Sequence, residues 1–309
     1  MTTLLLSHPA SLAHLTGEGH PERPARIEAI ERVLAEDRFA ALAREAAPVA
    51  SREALLRAHP EAYIAALERA APHHGLRRLD PDTIMSRGTL EAALRAAGGA
   101  TSAVDAVFGG RCANAFVAAR PPGHHAEAAT PMGFCFINNA AVAARHAQAA
   151  HGAARVAVVD FDVHHGNGTQ HIFWNDSRVM YCSTHEMPLF PGTGATAERG
   201  EHGQIVNAPL RAGDGGDIFR EAFDVAIRPR LEAFGADLLI VSAGFDAHRL
   251  DPLGHINLVE ADYAWVTRRL MEIADRQCKG RIVSLLEGGY DLEGLSRSVA
   301  AHVETLMEA

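Results

Sequence analysis

Five short apolar runs, each bounded by Gly, Pro or Asp and interleaved with helix-patterned segments, constrain the fold more than any other feature of this chain. They are NAFVAA at 114–119, RVAVVD at 155–160, RVMYCS at 178–183, DLLIVS at 237–242 and RIVSLL at 281–286, with a further strand expected near 3–7. Helical composition and spacing mark 23–45, 60–70, 88–108, 138–151, 217–234, 260–276 and 292–307. Apolar strands alternating with helices predict an α/β fold, a central parallel sheet covered by helices on both faces. Such sheets bind ligands beyond the carboxyl ends of their strands.

Four of the runs meet that rule. NAFVAA is followed by RPPGHHA with His124 and His125, RVAVVD by FDVHHGNG, DLLIVS by AGFDAH with Asp246, and RIVSLL by EGGYD with Tyr290. If the chain stays extended past Asp160, then Asp160, Asp162 and His164 point to one side while Phe161 and Val163 point to the other. Asp162 and His164 suit a single metal ion, and Asp246 from a distant strand end completes an Asp-His-Asp set acceptable to Zn²⁺ with positions left open. An ion so held can lower the pKa of water to about 7 and polarise a carbonyl. His125 or His124 can shuttle the proton and Tyr290 can donate to an oxyanion, with Gly288 and Gly289 freeing the backbone that aims its ring.

The totals exclude several alternatives. No linker, repeat or low-complexity tract divides the 309 residues, which predicts one domain over 1–309. A net charge of −9 argues against nucleic-acid binding, and no apolar run approaches a membrane span. Cys112, Cys135, Cys182 and Cys278 lie far apart without C-x-x-C spacing, which fits a reducing, cytoplasmic setting. Lys279 is the only lysine among 29 basic residues, a bias expected of a GC-rich bacterial genome. A homo-oligomer is compatible with the sequence.

HPERPARI at 20–27, LDPDT at 79–83, RPPGHHA at 120–126, GFCFINN at 133–139, VDFDVHHGNGTQ at 159–170, FPGTG at 190–194, SAGFDAH at 242–248 and EGGYD at 287–291 occur in order over nearly the whole chain. Together they resemble the zinc-dependent histone deacetylases and their bacterial amidohydrolase and acetylpolyamine-deacetylating relatives. The resemblance implies an arginase-deacetylase type fold, with Asp162, His164 and Asp246 as zinc ligands (Fe²⁺ being compatible with the same set) and Tyr290 polarising the carbonyl. It implies His125 as general base, His124 as its electrostatic partner and a proton donor, and Asp160 orienting His124 while helping Ser183 hold a structural K⁺. Gly133, Phe134 and Phe190 would wall a narrow tunnel, with Gly288 and Leu253 beside it. Arg23 would serve an inner product channel and Asp80 would bind substrate at the rim. The implied substrate is an acetylated lysine peptide or a small acetylated amine.

Asn167 stands where the nuclear members carry an aspartate beside the second histidine, and a neutral amide raises the basicity of His125 less. Leu253 stands where polyamine-selective relatives carry a carboxylate, which points away from polyamines. A binuclear manganese ureohydrolase would need a second acid where His248 stands, and a non-catalytic acyl-binding protein would not need Tyr290 and the histidine pair.

Overall fold

The computed structural model describes residues 2–309. Among the described residues ten strands form: β1 Thr3–Ser7, β2 Ala43–Ala46, β3 Leu76–Arg78, β4 Ile84–Ser86, β5 Asn114–Ala118, β6 Val156–Asp160, β7 Val179–Glu186, β8 Ile205–Leu210, β9 Leu238–Ala243 and β10 Ile282–Leu286. Eight make one sheet in the order β2-β1-β5-β10-β9-β6-β7-β8, every pair parallel, and β3 and β4 form a small antiparallel hairpin. The four strands whose ends the sequence marks, β5, β10, β9 and β6, are consecutive neighbours at the centre of the sheet. Their distinctive termini therefore share one edge.

Side-chain alternation along these strands feeds two cores. Ala115, Val117, Val156, Val158, Ile240 and Val283 pack on one face with the helices Thr89–Phe108 and Asn139–His151. Phe116, Val159, Leu239, Val241, Ile282 and Leu286 pack on the other with Ala25–Leu34, Glu260–Gln277 and Leu292–Leu306. This two-sided cover is why the strands read as continuous apolar runs. Among the described residues no helix is long and apolar enough to cross a membrane.

Two expectations about elements need correction. The helix expected over 23–45 ends at Leu34; a 3₁₀ turn follows at Asp37–Phe39, and Ala43–Ala46 is an edge strand. Its AREA sequence favours helix, but parallel pairing with β1 overrides that weak preference. The helix expected over 217–234 is interrupted at Phe223–Ile227 by a π turn, just ahead of Pro229, which has no N–H to continue the ladder. β8 is not among the apolar runs; it carries Pro209 and is the opposite edge of the sheet, where a proline is tolerated.

Candidate metal centre and tunnel

β6 ends at Asp160, yet the alternation persists: Phe161 and Val163 enter the core, while Asp162 and His164 turn to the sheet edge. Asp246 arrives from the end of β9. The ligand atoms of Asp162, His164 and Asp246 all lie within 4.8 Å of one another, and all three residues are buried. His164 Nδ1 is 3.1 Å from Asp162 Oδ1 and 3.2 Å from Asp246 Oδ2. Backbone N–H groups fix the carboxylates: His164 and Gly288 donate to Asp162, and Val163 donates to Asp246.

The electrostatics of this triad call for a cation. Burial alone would lower the His164 imidazole, but the two carboxylates outweigh it and raise its pKa to about 10. Burial and the Asp162 charge push Asp246 up to about 7. Burial would raise Asp162 as well, yet the charges of His124 and His164 hold it well below the ordinary carboxylate value. Gly288 shapes the cradle, since a Cβ there would fall 2.0 Å from Asp246 Oδ2 and 2.6 Å from Asp162 Oδ2. One nitrogen and two carboxylates in this space fit a divalent transition-metal ion.

The two adjacent histidines are driven to opposite protonation states. His124 Nδ1 donates to Asp160 Oδ2 at 2.9 Å. Burial works against charge on His124, but Asp160, Asp162 and Glu287 overcome it and raise its pKa well above the usual histidine value. His125 is held well below that value by burial and by the charges of His124 and His164. It therefore stays neutral, with Nδ1 on Asn167 Oδ1 at 2.9 Å. Neighbouring groups with pKa values pushed apart are the signature of acid/base machinery.

A cavity of about 250 Å³ opens at this centre, lined by His125, Gly133, Phe134, His164, Leu189, Phe190, Leu253, Tyr290 and Asp82. Phe134 has φ of +68°, a left-handed conformation rare for an aromatic residue, and its ring stands edge-on to Tyr290 at 5.8 Å. Burial raises the Tyr290 phenol well above its normal pKa in spite of the nearby Arg26 charge, so the hydroxyl remains a donor.

The structure thus brings together Asp162, His164 and Asp246, with His124, His125, Tyr290, Asp160 and Asn167 around them and Gly133, Phe134, Phe190 and Leu253 on the tunnel wall. Gly288 lies behind the ligands rather than on the wall. Ser183 sits opposite Asp160 in the β6–β7 register, its hydroxyl against His185 Nδ1 at 2.8 Å.

Two further placements differ from expectation. Arg23 is exposed, because it precedes the helix Ala25–Leu34; the buried arginine is Arg26, one turn on. Arg26 donates to the carbonyls of Glu287 and Gly289 at 2.6 Å each and to Glu22 at 3.0 Å, with its guanidinium 4.9 Å from the Tyr290 ring centroid. Asp80 does not line the cavity: it accepts from the backbone N–H groups of Asp82 and Thr83, closing its own turn, and Asp82 lines the cavity in its place.

Sequence reasoning missed four supports. Glu287 accepts from the N–H groups of Gly123 and His124 and from Ser242, while burial lifts its pKa to about 7 against the pull of His124. Asp251 accepts from the N–H groups of Leu253, Tyr290 and Asp291 and so ties the tunnel wall at Leu253 to the backbone of Tyr290. Glu22, paired with Arg26 and Arg120, anchors the interior, and Glu127 stands behind Asn167. Glu22 and Glu287 lie inside the motifs already quoted, and the position of Glu287 immediately after β10 was the available signal; Asp251 lies three residues beyond SAGFDAH.

His248, where a second metal's ligand would be expected in a ureohydrolase, faces Glu260 instead. A second cluster, Asp105, His146 and His151, lies near the surface. There Arg57 donates to His146 Nδ1 at 3.1 Å, leaving the proton on Nε2, and both imidazoles meet one Asp105 oxygen at 2.7 Å. Hydrogen bonding accounts for that cluster.

A central parallel sheet with this buried centre at its carboxyl edge defines a hydrolase of the deacetylase and amidohydrolase class. The chain belongs to the histone deacetylase family: the family model described as "Histone deacetylase domain" matches residues 20–306. It is 40% identical to a "Probable deacetylase" of Archaeoglobus fulgidus, over 95% of this chain and 83% of that one. It is 39% identical to the "Histone deacetylase-like amidohydrolase" of Pseudomonas aeruginosa, over 88% and 73%. The crystal structure of the HDA15 HD domain superposes with a TM-score of 0.94 at 36% identity, covering 99% of this chain and 88% of that one. The arginase-deacetylase fold is therefore established.

Proposed function

We propose that this protein is a metal-dependent deacylase that removes acetyl groups from the side-chain amine of acetyl-lysine in proteins or peptides. The observation that carries the reading is the pair of adjacent histidines, His124 bonded to Asp160 and His125 to Asn167, beside a buried Asp-His-Asp set at the end of an apolar cavity. Asp162, His164 and Asp246 would hold the ion, Zn²⁺ or Fe²⁺. When bound, it supplies Lewis acidity toward a carbonyl oxygen and toward water.

The chain's own groups supply the rest. Phe134, Phe190 and Leu253 sheathe an alkyl stem and exclude water from the amide. His125 Nε2 removes a proton from the attacking water while Tyr290 donates its hydroxyl hydrogen bond to the developing oxyanion. The C–N bond then breaks and His125 returns the proton to the leaving amine, giving acetate and a free amine. His124, held by Asp160, keeps a positive charge beside this exchange. Asp160 and Ser183, neighbours across β6 and β7, would also contribute to a K⁺ site.

A second reading, a small acetylated amine such as an acetylpolyamine, is favoured by one observation: Asp82 is an acidic residue lining the cavity, where its carboxylate can attract an ammonium. Acetate release from an acetyl-lysine peptide and from acetylputrescine at matched concentrations separates the two. A peptide preference of about tenfold, equivalent to 1.4 kcal/mol, supports the first reading; preference for the polyamine would replace it with the second.

A further inference from the structure

Behind His125 the hydrogen bonds run in one direction. Asn167 Oδ1 faces His125 Nδ1, while Asn167 Nδ2 donates to Glu127 Oε1 at 3.1 Å and lies 3.2 Å from Met132 Sδ. A carboxylate and a thioether only accept, so both select the NH₂ end of the amide and turn its oxygen to the histidine. An oxygen at Nδ1 requires the proton on Nδ1. The lone pair is then left on Nε2, the nitrogen free to meet a ligand in the cavity that His125 lines.

We propose that Glu127 is a positioning residue: it locks the Asn167 amide and thereby holds His125 as the Nδ1–H tautomer, with Nε2 as the base. The inference rests on the reading of His125 as general base. An aspartate at 167 would present an acceptor whichever way it turned and would need no third residue. An asparagine presents a donor when flipped, which would force the proton onto Nε2 and remove the base. Glu127 resolves that ambiguity. It also accounts for the asparagine itself, because a carboxylate at 167 would stand about 3 Å from the Glu127 carboxylate and the like charges would repel. Glu127 is held in turn by its backbone N–H, which donates to Thr130 O at 3.0 Å in the turn after the histidine pair.

The test uses zinc-loaded protein carrying ¹⁵N-labelled histidine, with His125→Ala for assignment. In the wild type, His125 Nδ1 should show a pyrrole-type shift and Nε2 a pyridine-type shift. Glu127→Ala should mix or reverse them, and adding Asn167→Asp, which accepts in either orientation, should restore the Nδ1–H form. Turnover of an acetyl-lysine peptide should follow: kcat falls about tenfold or more in Glu127→Ala, within the range of acid/base contributions, with KM little changed, and the double variant recovers most of it. If the alanine variant does not fold, Glu127→Leu, of similar bulk but without any acceptor atom, carries the same comparison. An unchanged tautomer on loss of Glu127, or a double variant no better than the single one, assigns Glu127 a purely structural role and overturns the proposal. Retained turnover in His125→Ala would instead sink the general-base reading, while the tautomer shift would still report on Glu127 independently.

Discussion

Gly288→Ala should uncouple the metal site from the fold. The added methyl carbon would fall 2.0 Å from Asp246 Oδ2 and 2.6 Å from Asp162 Oδ2, so the groups must part by roughly 1.4 Å to reach ordinary contact at 3.4 Å. Neither side can yield cheaply. Asp246 Oδ1 is fixed by the Val163 N–H at 2.9 Å, and the Gly288 backbone itself donates to Asp162 Oδ2 at 2.8 Å and accepts from Phe245 N at 3.0 Å. Metal ligation tolerates displacements of only about 0.2 Å. The ligands therefore lose their common focus, and metal affinity should fall at least about 10–100-fold, or 1.4–2.7 kcal/mol, as when groups that orient ligands are removed. Zn²⁺ titration against a competing chelator measures this, with circular dichroism and a melting curve confirming that the variant is folded. An unchanged affinity in folded Gly288→Ala would refute the assignment of this cradle.

Other substitutions test the remaining assignments. Tyr290→Phe should lower kcat by about 10²–10³ by removing one oxyanion donor, while an amide-mimicking inhibitor binds within a few-fold of wild type; near-normal turnover would contradict its role. Arg23→Ala should leave activity and stability within about 0.5 kcal/mol of wild type, as for an exposed side chain. Arg26→Met should destabilise by about 3 kcal/mol in denaturant unfolding, because Glu22 loses a buried partner and two carbonyls lose their donor. His302 is buried between Thr267 and Ser284, and burial lowers its pKa to about 3. Its folded pKa lies below the unfolded value, so stability is retained above pH 6.5 and declines as pH falls from there toward 3. Between pH 7 and 5 this contributes a loss of about 2 kcal/mol that should vanish from the pH slope of His302→Gln.

The centre of the sheet was legible because β5, β10, β9 and β6 are buried on both faces and must read as apolar runs, and because polar residues crowd their ends. The edges were not. β2 carries a helix-favouring AREA and β8 a proline, and both owe their conformation to a neighbouring strand rather than to local preference. Within the site, the three candidate ligands and the histidine pair announce themselves by spacing and motif. Arg23 and Arg26 sit on either side of a helix start, and only the packing of Ala25–Leu34 decides which one faces inward. Asp80 and Asp82 likewise divide the tasks of closing a turn and lining the cavity. Glu127, in a loop beyond the histidines, looks like any charged surface residue until the direction of the Asn167 amide is known.

The most direct measurement is acetate release from an acetyl-lysine peptide by the purified protein after chelation and again after adding back one equivalent of Zn²⁺, with Asp246→Ala as the control. The account predicts that turnover disappears on chelation, returns with the metal, and does not return in Asp246→Ala. Turnover that persists in protein shown by elemental analysis to contain no metal would contradict it.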